Sequence, residues 1–93
     1  MATPTIVRTA KHIYFNLLSE GKTKQFEVVA KDGEVSLGGI SFLSRWRCYC
    51  FFPLGGTIFE RQCLRDIADF CEQETKKWRE GIAAKREPSD GLT

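Results

Sequence analysis

Four cysteines, one histidine and a few closely spaced acids are the side chains in this 93-residue sequence best equipped for chemistry. Cys48 and Cys50 stand two apart, and Cys63 and Cys71 eight apart. Structural zinc sites are usually built on C-x-x-C knuckles, which hold two thiolates at the right separation, and this spacing departs from that pattern. The cysteines therefore read as small buried hydrophobes, with no metal and no cofactor expected. His12 has no acid or nucleophile clustered beside it in sequence, so no Ser-His-Asp or Cys-His set can be assembled. Asp66 and Asp69 lie three apart on an amphipathic segment, where paired carboxylates are usually a solvated face. Gly38-Gly39 and Gly55-Gly56 lack the lysine and spacing of a phosphate loop and the repeat of a dinucleotide fingerprint. These absences argue against an enzyme and against a small-molecule substrate.

The more informative chemistry is in Arg45-Trp46-Arg47-Cys48-Tyr49-Cys50-Phe51-Phe52. Read as a strand, period two places Trp46, Cys48, Cys50 and Phe52 on one face. Arg45, Arg47, Tyr49 and Phe51 fall on the other. The apolar set is expected to meet a helix, leaving a cationic and aromatic row on an open sheet face, flanked by Lys22 and Lys24 from an earlier turn. Arg45, Arg47, Tyr49, Lys22 and Lys24 are thus the expected partner-binding residues. Arginine forks and aromatic rings suit phosphates and bases. They also suit a protein or ribonucleoprotein partner, because Arg and Tyr are favoured interface anchors. A solvated face in which Arg stems cover the rings is the third reading.

The elements that would position this row follow from local signals. Residues 1–4 read as a flexible arm. Thr5–Leu18 is rich in β-branched and aromatic residues, with a helical turn possible over Ala10–Asn16. Gly21 and the Asp32-Gly33 pair mark turns around the alternating Lys24–Lys31 strand. Glu34–Leu37 is a short strand bent at Gly38-Gly39, and Ile40–Phe52 a long one closed by Pro53. Thr57 and Glu60 fit a capping box opening a helix over residues 57–86, from about Ile58 to about Lys85. Its apolar stripe is Leu64, Ile67, Cys71, Trp78 and Ile82, widened by Ala68 and Phe70. Residues 87–93 read as a disordered tail. The expected fold is one α+β domain: an antiparallel sheet of three to four strands with one long C-terminal helix packed on one face.

Bulk properties agree. A formal charge of +2 is too small to imply nucleic acid alone, but it is unevenly spread. Residues 1–50 hold seven Lys and Arg against four acids, and residues 51–93 hold seven against eight. No run approaches the about 20 apolar residues of a membrane span, and Met1–Lys11 has no signal-peptide core. A cytoplasmic location with reduced thiols and no membrane partner is the expectation.

The basic Trp-containing strand Arg45–Arg47, the aromatic-Pro-Leu-Gly-Gly-Thr turn from Phe52 to Thr57 and the L-x-x-I-A-D-F segment from Leu64 to Phe70 are similar to those of small phage and prophage accessory proteins. Over most of residues 5–86 the chain resembles a small type I-F anti-CRISPR protein. That resemblance implies a stoichiometric inhibitor in the cytoplasm of an infected bacterium. Its partner would be an RNA-guided surveillance complex, bound through protein subunits, with guide RNA as a further possible contact, so that target DNA is not paired or the nuclease is not recruited. Some such inhibitors are acidic DNA mimics; this chain is net positive, so contact with guide RNA or a steric block fits it better. The order of strands followed by one helix also resembles sheet-reading DNA-binding modules, and a structural or interaction subunit is a further alternative.

Overall fold

The structure, a computed structural model, describes residues 5–90, with side chains through Ile82. Five strands precede one helix: β1 Thr5–Thr9, β2 Ile13–Glu20, β3 Lys24–Ala30, β4 Val35–Leu43, β5 Cys48–Pro53 and α1 Arg61–Asp90. The sheet is an antiparallel meander in the order β1-β2-β3-β4-β5. The α+β class and the single helix agree with the sequence reading; the strand count is five rather than three to four.

The extra strand comes from two turns that carry weak signals. Thr5–Leu18 divides at Ala10, whose N–H donates to the Ile13 carbonyl at 2.8 Å. The stretch read as Ile40–Phe52 divides at residues 44–47. Here the Trp46 and Arg47 amides both donate to the Leu43 carbonyl, at 3.1 and 2.8 Å, and Arg47 adopts φ 56°. No Gly, Pro, Asn or Asp lies in Ser44-Arg45-Trp46-Arg47, and the left-handed position is filled by a residue that rarely takes it. β4 instead passes through Gly38-Gly39, where Val28 pairs with Gly38 and Val29 with Ser36, leaving Leu37 as a bulge residue. Gly38 has φ 153°, and a Cβ there would collide with the Phe52 carbonyl oxygen and lie 2.8 Å from the Pro53 Cα. Only glycine fits where β4 pairs this closely with the end of β5.

Register determines what each face carries. Cross-strand partners Arg8, Phe15, Val28, Gly38 and Pro53 form one row across all five strands, and Leu17, Phe26, Ile40 and Phe51 another. These rows face α1. The opposite face is crossed by Ile6, Asn16, Glu27, Gly39 and Phe52, with Gln25 and Ser41 beside Cys50. It is largely polar, as expected of a sheet wetted on one side.

The core between sheet and helix is aromatic. Phe15 and Phe70 stack with centroids 4.2 Å apart, Phe26 meets Phe70 edge-on at 4.8 Å, and Phe42 lies 4.4 Å from Trp78. The inward stripe of α1 runs through Cys63, Ile67, Phe70, Glu74 and Trp78, at helical spacings of three and four. Leu64, placed in the stripe by the sequence reading, is about half exposed. The expected capping box also differs. The Thr57 hydroxyl donates to the Leu54 carbonyl at 2.8 Å, and the Glu60 carboxylate itself caps α1 by accepting from the Cys63 N–H at 2.8 Å. No helix among the described residues is long and apolar enough to cross a membrane. Residues 1–4 of the expected arm and 91–93 of the expected tail lie outside the described residues, and 87–90 continue α1.

Candidate functional site

Alternation along β5 holds, with its faces reversed from the sequence reading. Tyr49 pairs with Phe42 and lies buried under α1, and Phe51 packs edge-on against Phe59 at 5.3 Å. Cys48, Cys50 and Phe52 occupy the other face, and Trp46 projects from the turn, two-thirds exposed. The Leu64–Trp78 segment therefore docks mainly on Phe15, Phe26, Phe42 and Tyr49; Cys48 and Cys50 come near it only at Cys71, and Trp46 projects away. The reason is physical: Tyr49 satisfies its polar atoms within the core. Its hydroxyl accepts from the Lys24 N–H at 3.0 Å, and its own N–H donates to Thr75 Oγ1 at 2.9 Å. A buried tyrosine with a partnered hydroxyl supplies more apolar contact than a cysteine at the same place.

The expected row of five residues is accordingly divided. Arg45 is exposed in the β4–β5 turn, with its guanidinium 6.0 Å from the Trp46 ring. Arg47 lies over Trp78, 5.3 Å from the ring centroid. Lys22, Lys24 and Tyr49 come together, on the helix side of the sheet. They line a groove of about 390 Å³ with Glu74, Lys77 and Trp78, between the β2–β3 turn and the second half of α1. Gly21 and Gly81 also line it, and a Cβ added at Gly81 would meet nothing within 4 Å.

Three lysines thus converge on a groove walled by an indole and a phenol, with a fourth cation, Arg47, stacked on the same indole. One acid offsets them. Glu74 is 6% exposed and touches Lys77 through Oε2 at 3.3 Å. Sequence reasoning missed Glu74 and Lys77. A signal existed: the spacing Cys63, Ile67, Phe70, Glu74, Trp78 puts a carboxylate at a position of the stripe that should be apolar.

The cysteines remain free thiols. Burial pushes the Cys71 thiol up to about 12, and burial with the neighbouring Cys48 raises Cys50, so neither is an activated nucleophile near neutral pH. The Cys48 and Cys50 sulfurs are 3.8 Å apart. Among the described residues no group of three or more His, Cys, Asp and Glu is placed to hold a metal ion. Asp69 pairs with Arg8 at 3.2 Å on an exposed surface, and Asp66 accepts from Gln62 at 3.0 Å.

Fold and groove together define a small α+β protein: a five-stranded meander under one long helix, with a basic aromatic cleft where the two meet. Over 52 residues the chain is 33% identical to an uncharacterized 9.3 kDa protein of Acholeplasma phage L2, a stretch covering 56% of this chain and 67% of the phage protein. It belongs to the same family as that small phage protein. No family model matches the chain, and no solved structure matches it.

Proposed function

We propose that this protein acts by binding, and that its groove takes the phosphate backbone of single-stranded nucleic acid displayed by a larger partner. The observation that carries this reading is the convergence of Lys22, Lys24 and Lys77 on a groove walled by Tyr49 and Trp78. Ammonium groups attract phosphates whatever the base sequence. The resemblance to type I-F anti-CRISPR proteins supplies a specific partner: an RNA-guided surveillance complex, held through protein subunits and guide RNA so that target DNA is not engaged. That partner rests on the resemblance, to which kinship with a phage protein adds a compatible origin.

Fluorescence anisotropy with a labelled single-stranded RNA tests the groove. Wild type should bind with a log–log salt slope near −2, about −0.7 for each of three phosphates. Charge reversal at Lys22 and Lys77 should abolish binding. Gly81→Leu separates binding from folding: it replaces a helix-interior glycine, a change worth about 1 kcal/mol of added stability, while narrowing the groove. It should raise the melting temperature and weaken binding. RNA affinity unmoved by these changes would place the site elsewhere. The partner is tested by affinity purification of tagged protein from a host that carries a type I-F system; recovery of nucleic acid without any component of the surveillance complex would favour a free-standing nucleic-acid-binding domain.

A further inference from the structure

The groove's chemistry is not purely cationic. Glu74 occupies an inward position of α1, and its side chain is 7% exposed. Its one hydrogen-bond partner among the described residues is the Lys77 ammonium, 3.3 Å from Oε2, and that lysine side chain is itself 62% exposed. No described residue donates to Oε1. Oε1 is not among the described buried oxygens left without a partner, so it keeps contact with solvent beside the groove that Glu74 lines. A carboxylate can accept on both oxygens, and this one can take a ligand's donors there.

We propose that Glu74 reads the Watson–Crick edge of a guanine in the single strand that the groove holds; this inference rests on the reading of the groove as a nucleic-acid site. Guanine presents two parallel donors, N1–H and the N2 amino group, spaced to meet two carboxylate oxygens. Adenine and uracil each set an acceptor beside their donor, which would face a negatively charged oxygen. Cytosine likewise sets the N3 acceptor beside its N4 amino donor. Single-stranded bases are read by hydrogen bonds on this edge; Trp78, partly exposed, adds apolar surface at the groove, while the Tyr49 ring is buried in the core. Lys22, Lys24 and Lys77 then hold the flanking phosphates. A cleft of about 390 Å³ is at the small end of ligand sites, in keeping with a single nucleotide.

The test is anisotropy with four labelled heptamers, UUUNUUU, in which N is G, A, C or U, at one salt concentration. The guanine strand should bind roughly 10-fold more tightly than the adenine and uracil strands, as a good bidentate pair allows. Glu74→Gln, isosteric and uncharged, should bind all four strands within about twofold of one another, because its amide offers one acceptor and one donor. A wild-type order in which guanine does not lead, or a guanine preference that survives Glu74→Gln, overturns the inference. Four equal affinities that still depend on Lys22 and Lys77 would remove the guanine reader and leave the groove reading intact. Absence of lysine-dependent binding to any strand would remove both.

Discussion

The Tyr49 amide donates to Thr75 Oγ1 at 2.9 Å, and the Thr75 hydroxyl in turn donates to the Cys71 carbonyl at 2.8 Å. One buried threonine thus joins the outer edge of β5 to a carbonyl of α1. An edge strand presents unpaired amides, and here the helix satisfies one of them. Replacing Thr75 with Val keeps the shape and removes the acceptor, stranding the Tyr49 N–H. The expected loss is about 1–3 kcal/mol by urea denaturation, with Thr75→Ser recovering most of it.

Two neighbouring helix positions distinguish the stripe observed from the one expected. Ile67 is buried and Leu64 is about half exposed. Ile67→Ala should cost about 2–4 kcal/mol. Leu64→Ala should change stability by under about 0.5 kcal/mol. Equal denaturation midpoints for the two variants would contradict the helix rotation described.

Gly38 and Gly55 make a second such pair. A Cβ at Gly38 meets β5 backbone, which cannot move aside without breaking the ladder, whereas one at Gly55 meets nothing within 4 Å. Gly38→Ala is expected to lose more than about 1 kcal/mol, or to prevent folding, through clash and a positive φ together. Gly55→Ala should leave the melting temperature nearly unchanged.

These contrasts show what the sequence makes legible. The helix was visible because Ile67, Phe70 and Trp78 repeat at helical spacing, and the β3–β4 hairpin because Asp32-Gly33 is a strong turn signal. The Ser44–Arg47 turn was hidden because Arg47 takes a left-handed conformation with no glycine to announce it. Missing it allowed the alternation of β5 to extend backward through a turn and turned the arginines into a strand face. The face itself was misjudged because hydropathy ranks Cys48 and Cys50 above Tyr49, while the packing favours the larger ring. Lys22, Lys24 and Tyr49, grouped from the sequence with Arg45 and Arg47, do line one groove; that Glu74, Lys77 and Trp78 complete their surroundings depends on tertiary placement across some 50 residues of chain.

Acid stability should depend on Glu60. The hydrogen bond from the Cys63 N–H favours the ionised carboxylate and holds Glu60 below its ordinary value of 4.5. A carboxylate depressed in the folded state stabilises fully above that ordinary value. The contribution is lost as pH falls through the folded value, because the unfolded chain binds the proton first. The melting temperature of wild type should therefore decline below about pH 4.5 more steeply than that of Glu60→Gln, which cannot titrate there. Superimposable acid limbs would show that the cap contributes nothing.

Every strand of the meander pairs with its neighbour in sequence, so all five can zip together through short-range hairpins. The cover for their apolar face arrives last: Ile67 and Phe70 follow the final strand by more than a dozen residues. During synthesis a nascent chain can therefore complete its sheet while Phe15, Phe26 and Ile40 are still wet. The interval before α1 docks is when this protein is most exposed to self-association and to chaperones.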